Sequence, residues 1–250
     1  MSGRNALGIA ESLAAESLSN VSSHAIVYSW QAAPASLASA LKRADSFRYA
    51  FIKRAFDMIL SALLLVLFLP LGLVIGLLIK LSSSGPIFYC EERMGRFCAP
   101  FRIVKFRSMY ISPADVKVLD ISRAQRNHRC PDRMSKRSAD PRITPLGRWL
   151  RRMSLDELPQ LWNVLLGDMS LVGPRPIVAA ERRLYGRYLP FYDLFCPGIT
   201  GLWQVSGRSD IDYDRRVLLD CEYASRWSCL LDLTILGRTI PAVITMRGAY

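Results

Sequence analysis

The feature that most constrains this chain is an uninterrupted apolar run in its first third. Residues 58–79, within the stretch FDMILSALLLVLFLPLGLVIGLLIKL, contain no charged side chain. A helix of that length extends about 33 Å at a rise of ~1.5 Å per residue, enough to cross the hydrocarbon core of a bilayer. The run is apolar on every face and longer than the buried helices typical of soluble domains. We therefore predict a membrane-inserted helix over about residues 56–81.

Two features bear on whether this helix crosses the membrane or turns back. Basic residues flank it in nearly equal numbers, five within residues 42–54 and six within residues 80–107, although a spanning helix usually has one basic, cytosolic flank. Pro70 removes a backbone hydrogen bond near the middle of the run and favours a bend there. Two half-helices that meet at Pro70 would place both ends on the cytosolic face, whereas a proline-kinked span is the ordinary alternative. The charge balance favours the re-entrant hairpin.

The overall charge indicates an anionic partner. The chain has 33 Lys and Arg against 21 Asp and Glu, a formal net charge of +12. Nucleic acid, an anionic lipid surface or a phosphorylated substrate would each suit this excess. A nucleic-acid reader would interleave aromatic residues with a basic stripe or carry a reader motif, and the sequence has neither, so we expect no nucleic-acid partner. The six cysteines are scattered without a C-x-x-C pair, which predicts reduced thiols.

The rest of the chain predicts a small α/β, mainly helical cytosolic domain. Residues 1–45 are rich in Ser and Ala and predict a flexible N-terminal extension, with short helices around 8–18 and 35–43. Residues 46–250 then form the main domain, which includes the membrane helix. Short β-like stretches are expected at 87–90 and 101–106. Helices are expected at 145–152, 156–167, 178–188, 212–224 and 230–246, and the last of these is apolar enough to lie at the membrane interface.

A basic polar segment covers residues 111–140. Two interpretations of it stay open. Its cations form either the solvated face of a helix or an interfacial helix that rests on anionic lipid. The cations are Lys117, Arg123, Arg126, Arg129, Arg133, Lys136 and Arg137.

An acidic pair, Asp156 and Glu157, interrupts the apolar stretch MSLDELPQLWNV. Ser154 and Glu157 have the spacing of a capping box, although Pro159 would then remove an intrahelical hydrogen bond. With Asp156 as the N-cap the proline is harmless, and Glu157 is favoured by the helix dipole. On this stretch alone, capping by Asp156 is the favoured interpretation.

The neighbouring arginines favour a chemical role for the same pair. Arg151 lies just before it, Arg175 stands between two prolines in VGPRP, and Arg208 ends the glycine-rich stretch PGITGLWQVSGR. Arginines on stiff loops can bind phosphate oxygens through two hydrogen bonds each. One carboxylate can hold a divalent cation and the other can attack phosphorus. The cluster therefore suits phosphate chemistry.

Four sequence blocks resemble the signatures of one family. They are KRAFD, VKFRSM, LRRMSLDELPQLWNVLLGDMSLVGPRP and CPGITGLWQVSGR. The chain from about Lys53 to Tyr250 resembles the bacterial sugar transferases, monotopic phosphoglycosyl transferases. The resemblance implies that a UDP-sugar gives its sugar 1-phosphate to undecaprenyl phosphate and releases UMP, the first step of exopolysaccharide or related glycan assembly. The stretch RPIVAAE and the C-terminal tail are most similar to exopolysaccharide-type members, which move galactose or glucose 1-phosphate.

The resemblance also implies roles for individual residues. Asp156 would be the nucleophile that forms a covalent aspartyl phosphosugar, and Glu157 would hold a catalytic Mg²⁺. Pro70 matches the proline of the family's re-entrant membrane helix, although Leu69 stands where the family often has serine. The fold would also include interfacial amphipathic helices that contact membrane lipid on the cytoplasmic face of the bacterial inner membrane, and a homodimer is left open. Other positions around the phosphates and the nucleotide match Lys105, Arg151, Asp168, Arg175 and Arg208.

Overall fold

The structure is a computed structural model that describes residues 33–111, 142–207 and 211–244. Helix α1 (Ala33–Ala44) comes first, and a π-helical segment (Arg48–Lys53) leads directly into the long helix α2 (Arg54–Ser82). Helix α1 agrees with the helix predicted around 35–43. The helix predicted around 8–18 and the basic segment, apart from its first residue, lie outside the described residues, and the domain boundary at residue 45 stays a prediction.

The part after α2 is mainly helical, with two small sheets. Strand β1 (Phe88–Met94) pairs antiparallel with β2 (Pro100–Phe106), as the β-like pattern predicted, and β3 (Ser170–Val172) pairs in parallel with β4 (Gly198–Thr200). Short 3₁₀ turns connect several helices. The helices are α3 (Pro145–Arg152), α4 (Gln160–Leu166), α5 (Arg182–Tyr185), α6 (Leu189–Asp193), α7 (Leu202–Val205), α8 (Tyr213–Arg226) and α9 (Cys229–Ile244).

Helix α3 coincides with the prediction for 145–152, whereas two other predicted helices are broken. The helix expected at 156–167 is a 3₁₀ turn, Leu155–Glu157, followed by α4. The helix expected at 178–188 is interrupted at Gly186, which has a positive φ of 49°. Glycine adopts this conformation more easily than any other residue. Both helices are interrupted by local backbone turns, which the spacing of apolar residues does not predict.

Helix α2 carries the predicted membrane segment. Together with the π-helical segment it forms a helix over Arg48–Ser82 that is long and apolar enough to cross a membrane by length and composition. The helix is continuous through Pro70, whose missing N–H leaves the carbonyl of Val66 without its helical partner. The re-entrant course of this helix stays a prediction.

Both ends of α2 contact the rest of the fold, while its middle is exposed. Near the start, Asp57 is buried against the main core. Near the end, Ile75 and Ile79 are each 1% exposed and pack with Phe106 in a second, smaller core cluster. Residues 66–70 between these contacts are mostly exposed. The helix is thus held to the same domain at two places.

A buried charge cluster, which we call the Lys53 cluster, connects the start of α2 to the main core. Lys53 Nζ lies 2.9 Å from Asp232 Oδ2 and 3.4 Å from Asp57 Oδ1, and all three side chains are only 4% exposed. Tyr223 and Trp227 donate hydrogen bonds of 2.9 and 3.1 Å to Asp232. The backbone N–H of Leu171 in β3 donates to Asp57. Buried charges are retained in proteins when they are paired in this way.

Candidate active site

Asp156 and Glu157 lie on the 3₁₀ turn between α3 and α4. Ser154, just before this turn, has a left-handed conformation with φ 56°, which is uncommon for a residue other than glycine. Neither Ser154 nor Pro159, the residues that precede the 3₁₀ turn and α4, provides a side-chain cap. The interpretation of Asp156 as an N-cap is therefore wrong, because the turn does not begin an α-helix at that residue.

Side-chain capping does occur elsewhere in the chain. Thr144 accepts a hydrogen bond from the N–H of Gly147 at the start of α3, and Asp212 accepts one from Arg215 at the start of α8. Capping oxygens of this kind satisfy the free N–H groups of a first helical turn. The Asp156 carboxylate, by contrast, is left available for other contacts.

Lys105 connects strand β2 to the acidic pair. Its Nζ lies 3.0 Å from Glu157 Oε1, and the two side chains are 25% and 35% exposed. Burial pushes the pKa of Glu157 upward, but Lys105, followed by Arg175, outweighs burial and lowers the pKa below its usual value. Glu157 is therefore a stable anion at neutral pH.

The pKa of Asp156 moves in the opposite direction. Burial of this carboxyl, which is 9% exposed, and repulsion from Glu157 raise its pKa to about 6, although Lys105 and Arg151 counteract part of the shift. No side chain of the described residues hydrogen-bonds to this carboxylate. Adjacent carboxyls whose pKa values are pushed apart are typical of catalytic sites. Asp156 is thus an ionised but poorly solvated carboxylate above pH 6.

Arg151 is fixed beside the pair through the chain that follows β2. Its Nε donates a 2.8 Å hydrogen bond to the hydroxyl of Ser108. The backbone of Ser108 also accepts a 3.1 Å bond from Thr144 and packs so closely on Gly147 that a Cβ there would lie 2.0 Å from its carbonyl oxygen. Sequence reasoning missed Ser108, because its role depends on contact between β2 and α3.

Arg175 projects from a loop that is held on two sides. Gly173 and Gly198 approach so closely that a Cβ on either would meet backbone atoms at 2.1–2.3 Å, which explains the two glycines between β3 and β4. On the other side, Arg93 donates a 3.2 Å hydrogen bond to the carbonyl of Pro176. Burial and the neighbouring cations Arg216 and Arg93 lower the pKa of Arg175.

The other two residues named from the sequence are placed differently. Asp168 follows α4 and accepts a 3.4 Å hydrogen bond from Asn163, whose side chain also bonds the backbone of Arg102 and Val104 in β2. Among the described residues, Asp168 shares no hydrogen-bond partner with Asp156. Arg208 lies outside the described residues.

The acidic pair fits a magnesium ion in its chemistry. Mg²⁺ prefers hard oxygen ligands and usually takes one or two carboxylates, with water and substrate phosphates completing the shell. Asp156 and Glu157 supply such oxygens at adjacent positions, and Lys105 occupies only one oxygen of Glu157. No group of three metal-binding side chains occurs in the described part of the chain. The pair therefore suits an ion that substrate phosphates help to hold.

Comparison with known proteins agrees with this chemistry. The family profile described as bacterial sugar transferase matches residues 48–246. The exopolysaccharide production protein ExoY of Rhizobium meliloti is 43% identical over 204 residues, which cover 79% of this chain and 88% of the relative.

Two further relatives carry names that state a reaction. The undecaprenyl-phosphate galactose phosphotransferase of Salmonella typhimurium is 45% identical over 80% of this chain, which spans only 42% of that longer protein. The UDP-glucose:undecaprenyl-phosphate glucose-1-phosphate transferase of Caulobacter vibrioides is 41% identical over 79% of this chain and 72% of its own length. The match over most of the chain, together with the acidic pair and its cations, shows that this enzyme belongs to the bacterial sugar transferase family.

Proposed function

We propose that the chain transfers a hexose 1-phosphate from a UDP-hexose to a polyprenyl phosphate, with Asp156 as the nucleophile. The observation that carries the proposal is the state of Asp156, whose buried carboxyl has a pKa of about 6 beside the anionic Glu157. Relatives named as undecaprenyl-phosphate galactose and glucose phosphotransferases support the two substrates.

The first step forms an ester between the enzyme and the sugar phosphate. A carboxylate oxygen of Asp156 attacks the phosphorus that carries the hexose, and the bond from that phosphorus to the bridging oxygen of the diphosphate breaks. The bridging oxygen keeps the electron pair and leaves as part of UMP. A carboxylate short of hydrogen-bond donors is a better nucleophile than a fully hydrated one, which is the benefit of burying Asp156.

The second step returns the enzyme to its starting state. A phosphate oxygen of the polyprenyl phosphate attacks the same phosphorus, and the bond from phosphorus to the Asp156 oxygen breaks. The carboxylate is released and the product is a polyprenyl diphosphate hexose. Splitting one transfer into two steps in this way gives ping-pong kinetics.

The cations around Asp156 supply the electrostatic part of catalysis. Two carboxylates would repel a diphosphate, but Lys105, Arg151 and Arg175 offset that repulsion. Fixed cations stabilise charge on a transferring phosphoryl group without reorganising during the reaction. Mg²⁺, held by Glu157, would add Lewis-acid neutralisation of the phosphate oxygens.

The sugar is proposed to be galactose or glucose, because the named relatives use these hexoses. Membranes that contain the protein would be incubated with labelled UDP-galactose, UDP-glucose or their N-acetylated analogues, with and without added polyprenyl phosphate. We expect label from one of the two plain hexoses in the lipid fraction, and none with Asp156→Asn. Absence of lipid label from all four donors would contradict the proposed function.

The apolar helix is proposed to enter the inner membrane and return to the cytoplasmic face, with a bend at Pro70. Attachment of both ends of α2 to the same domain supports this course, since a helix crossing the bilayer would carry its far end away. Single cysteines at Ser46 and Ser83, in a background without native cysteines, should both resist an impermeant thiol reagent in intact cells. Labelling of Ser83→Cys alone would show a full span instead.

Exposed apolar side chains on three helices support contact of the domain with the membrane interface. Trp149 in α3, Trp162 in α4 and Leu233 in α9 are about half exposed, and Leu230 in α9 is 74% exposed. Tryptophan favours the interfacial region of bilayers. We propose that these helices rest on lipid, which would explain apolar exposure that water disfavours. A homodimer stays a prediction.

A further inference from the structure

A second cationic cluster lies next to Arg175 and is not explained by the residues assigned above. The guanidinium carbon of Arg175 lies 5.2 Å from the centre of the Trp203 ring, and that of Arg216 lies 5.6 Å from the same ring. Arg216 also lies 4.2 Å from the ring centre of Tyr213. Two guanidinium groups thus contact one aromatic ring, and their combined positive charge disfavours a further cation next to Trp203.

Polar atoms of this cluster are buried without partners. Arg216 Nε, Trp203 Nε1, Tyr213 Oη and Gln204 Oε1 have no hydrogen bond in the described part of the chain. Three of these four groups can donate a hydrogen bond. Buried donors without acceptors are rare in native proteins and indicate a ligand or water that completes them.

Within the described residues, the cluster also has no ion pair to balance its charge. Neither guanidinium lies within 4.0 Å of a carboxylate of the described residues. Asp220 lies on the same helix as Arg216, and its Oδ2 accepts a 2.7 Å hydrogen bond from Tyr185. Burial raises the pKa of Asp220 to about 7, although the charges of Arg216 and Arg175 counteract part of the shift. Asp220 is therefore a weak counterion at neutral pH, and the two arginines suit an external anion.

We propose that Arg216, with Arg175 and Trp203, binds the phosphate of the nucleotide donor that is not attacked. This inference rests on the proposed function, which supplies a diphosphate. The guanidinium groups of Arg175 and Arg216 lie against the same Trp203 ring, and Arg175 also interacts electrostatically with Glu157. Arg175 therefore links the acidic pair to Arg216. With the attacked phosphate at Asp156, the second phosphate of a diphosphate would lie toward Arg216.

The position of α8 favours the nucleotide over the lipid as the source of this phosphate. Helix α8, which carries Arg216, packs against α1, α6 and α7. The apolar helix α2 packs instead against α3, α4 and β3. A water-soluble donor would therefore approach on the α8 side, and the polyprenyl phosphate on the α2 side.

Binding measurements on the full-length protein in nanodiscs test this assignment. Isothermal titration with UDP, uridine and a soluble short-chain polyprenyl phosphate would be compared for wild type, Arg216→Ala, Arg216→Lys and Arg215→Ala. Arg215 is the exposed neighbour on the same helix and serves as the matched control. We expect Arg216→Ala to weaken UDP binding about 10- to 100-fold, the scale of a charge-assisted hydrogen bond. Arg216→Lys should lie in between.

The same data separate the alternatives. Uridine and polyprenyl phosphate should bind equally to all four proteins, since neither presents a phosphate to Arg216. Unchanged UDP affinity in Arg216→Ala, or weaker polyprenyl phosphate binding instead, would overturn the assignment. Thermal unfolding of each variant shows whether it is folded. If Arg216→Ala is unfolded, the UDP affinity of Arg216→Lys decides whether Arg216 binds the phosphate. Binding is measured without turnover, so the two proposals can fail separately. If the protein transfers no hexose phosphate but its UDP binding depends on Arg216, the proposed function is rejected and the phosphate site at Arg216 is retained.

Discussion

Among the described residues, two clusters each place a lysine close to two carboxylates, and they differ in which carboxylate oxygens stay available. In the Lys53 cluster, Lys53 contacts both Asp57 and Asp232, and each acid also accepts further hydrogen bonds within the core. At the active site, Lys105 pairs with Glu157 alone.

Asp156 in the second cluster has no side-chain hydrogen bond from the described residues. Both oxygens of Asp232 and one oxygen of Asp57 are thus held by contacts within the fold. The oxygens of Asp156 accept no side-chain hydrogen bond from the described residues and are available to a substrate. A charged cluster can take part in chemistry where its hydrogen bonds are incomplete, and it stabilises the fold where they are complete.

The largest expected effect follows from replacing the available carboxylate. Asp156→Asn should lower hexose phosphate transfer by about 10³-fold or more, the scale seen when a nucleophile is removed. The variant should unfold at the same temperature as wild type or higher, because it removes repulsion from Glu157. Transfer assays and thermal unfolding of the same preparation test both statements. Near-normal transfer activity of Asp156→Asn would show that Asp156 is not the nucleophile.

The next effect comes from removing the lysine of the buried cluster. Lys53→Met leaves two carboxylates, each 4% exposed, without their cation, and should cost about 3–5 kcal/mol of stability. Denaturant unfolding in detergent would measure the loss. Lys42→Met, an exposed change on α1, is the control and should change stability little. Equal stability of the two variants would show that the Lys53 cluster does not fasten α2 to the core.

The acidic pair could be predicted from the sequence, but the contacts that set the charge state of its two carboxyls could not. The sequence blocks pointed to Asp156, Glu157 and Lys105. The 3.0 Å ion pair between Lys105 and Glu157 was not predictable, because β2 and the 3₁₀ turn meet only in the folded state. Capping by Asp156 was wrong because the left-handed Ser154 starts a 3₁₀ turn, which a residue pattern does not reveal.

The same limit applies to larger parts of the fold. Helix α3 and the β character of strands β1 and β2 follow from local propensity and apolar spacing, and both were predicted, whereas the antiparallel pairing of the two strands was not. The approach of Arg216 to Arg175 depends instead on how α8 packs against α7, which carries the Trp203 ring that both guanidinium groups contact. An arginine on an amphipathic helix gives no sequence signal of that contact.

A pH profile gives a smaller but more specific effect. The UMP-releasing step should slow as pH falls through about 6, since only ionised Asp156 attacks. Lys105→Met removes a cation that lowers the pKa of Asp156, so the acid limb should move to higher pH. Arg152→Met removes a nearby charge not among the causes of the shift and should leave the limb in place. If Lys105→Met leaves the acid limb of the pH profile unchanged, the limb reports the ionisation of a group other than Asp156.

The stability effect of the same carboxyl has a defined sign. The pKa of Asp156 is raised in the folded state from 3.8 to about 6, so the folded chain binds more protons between these values. Its contribution to stability is therefore present at low pH and lost as pH rises through about 6. Thermal unfolding at pH 5 and pH 7.5 should show a smaller pH dependence in Asp156→Asn than in wild type. A larger dependence in the variant would contradict the shift.

The smallest effect is the stability change on removing the lysine of the active site. The Lys105 and Glu157 side chains are 25% and 35% exposed, so Lys105→Met should change the free energy of unfolding by less than about 1 kcal/mol. The same substitution at Lys53 should cost several times more. Equal costs in denaturant unfolding would remove the distinction between the two clusters.

The most direct test of the account is whether the enzyme becomes covalently modified by the nucleotide sugar alone. Protein mixed with UDP-galactose or UDP-glucose, without polyprenyl phosphate, would be analysed by intact mass and peptide mass spectrometry. We expect release of UMP and a hexose phosphate adduct on Asp156, which is absent from Asp156→Asn and reduced in Glu157→Gln. A donor that supports transfer to lipid but gives no adduct, with UMP release strictly dependent on polyprenyl phosphate, would show direct transfer and contradict Asp156 as the nucleophile.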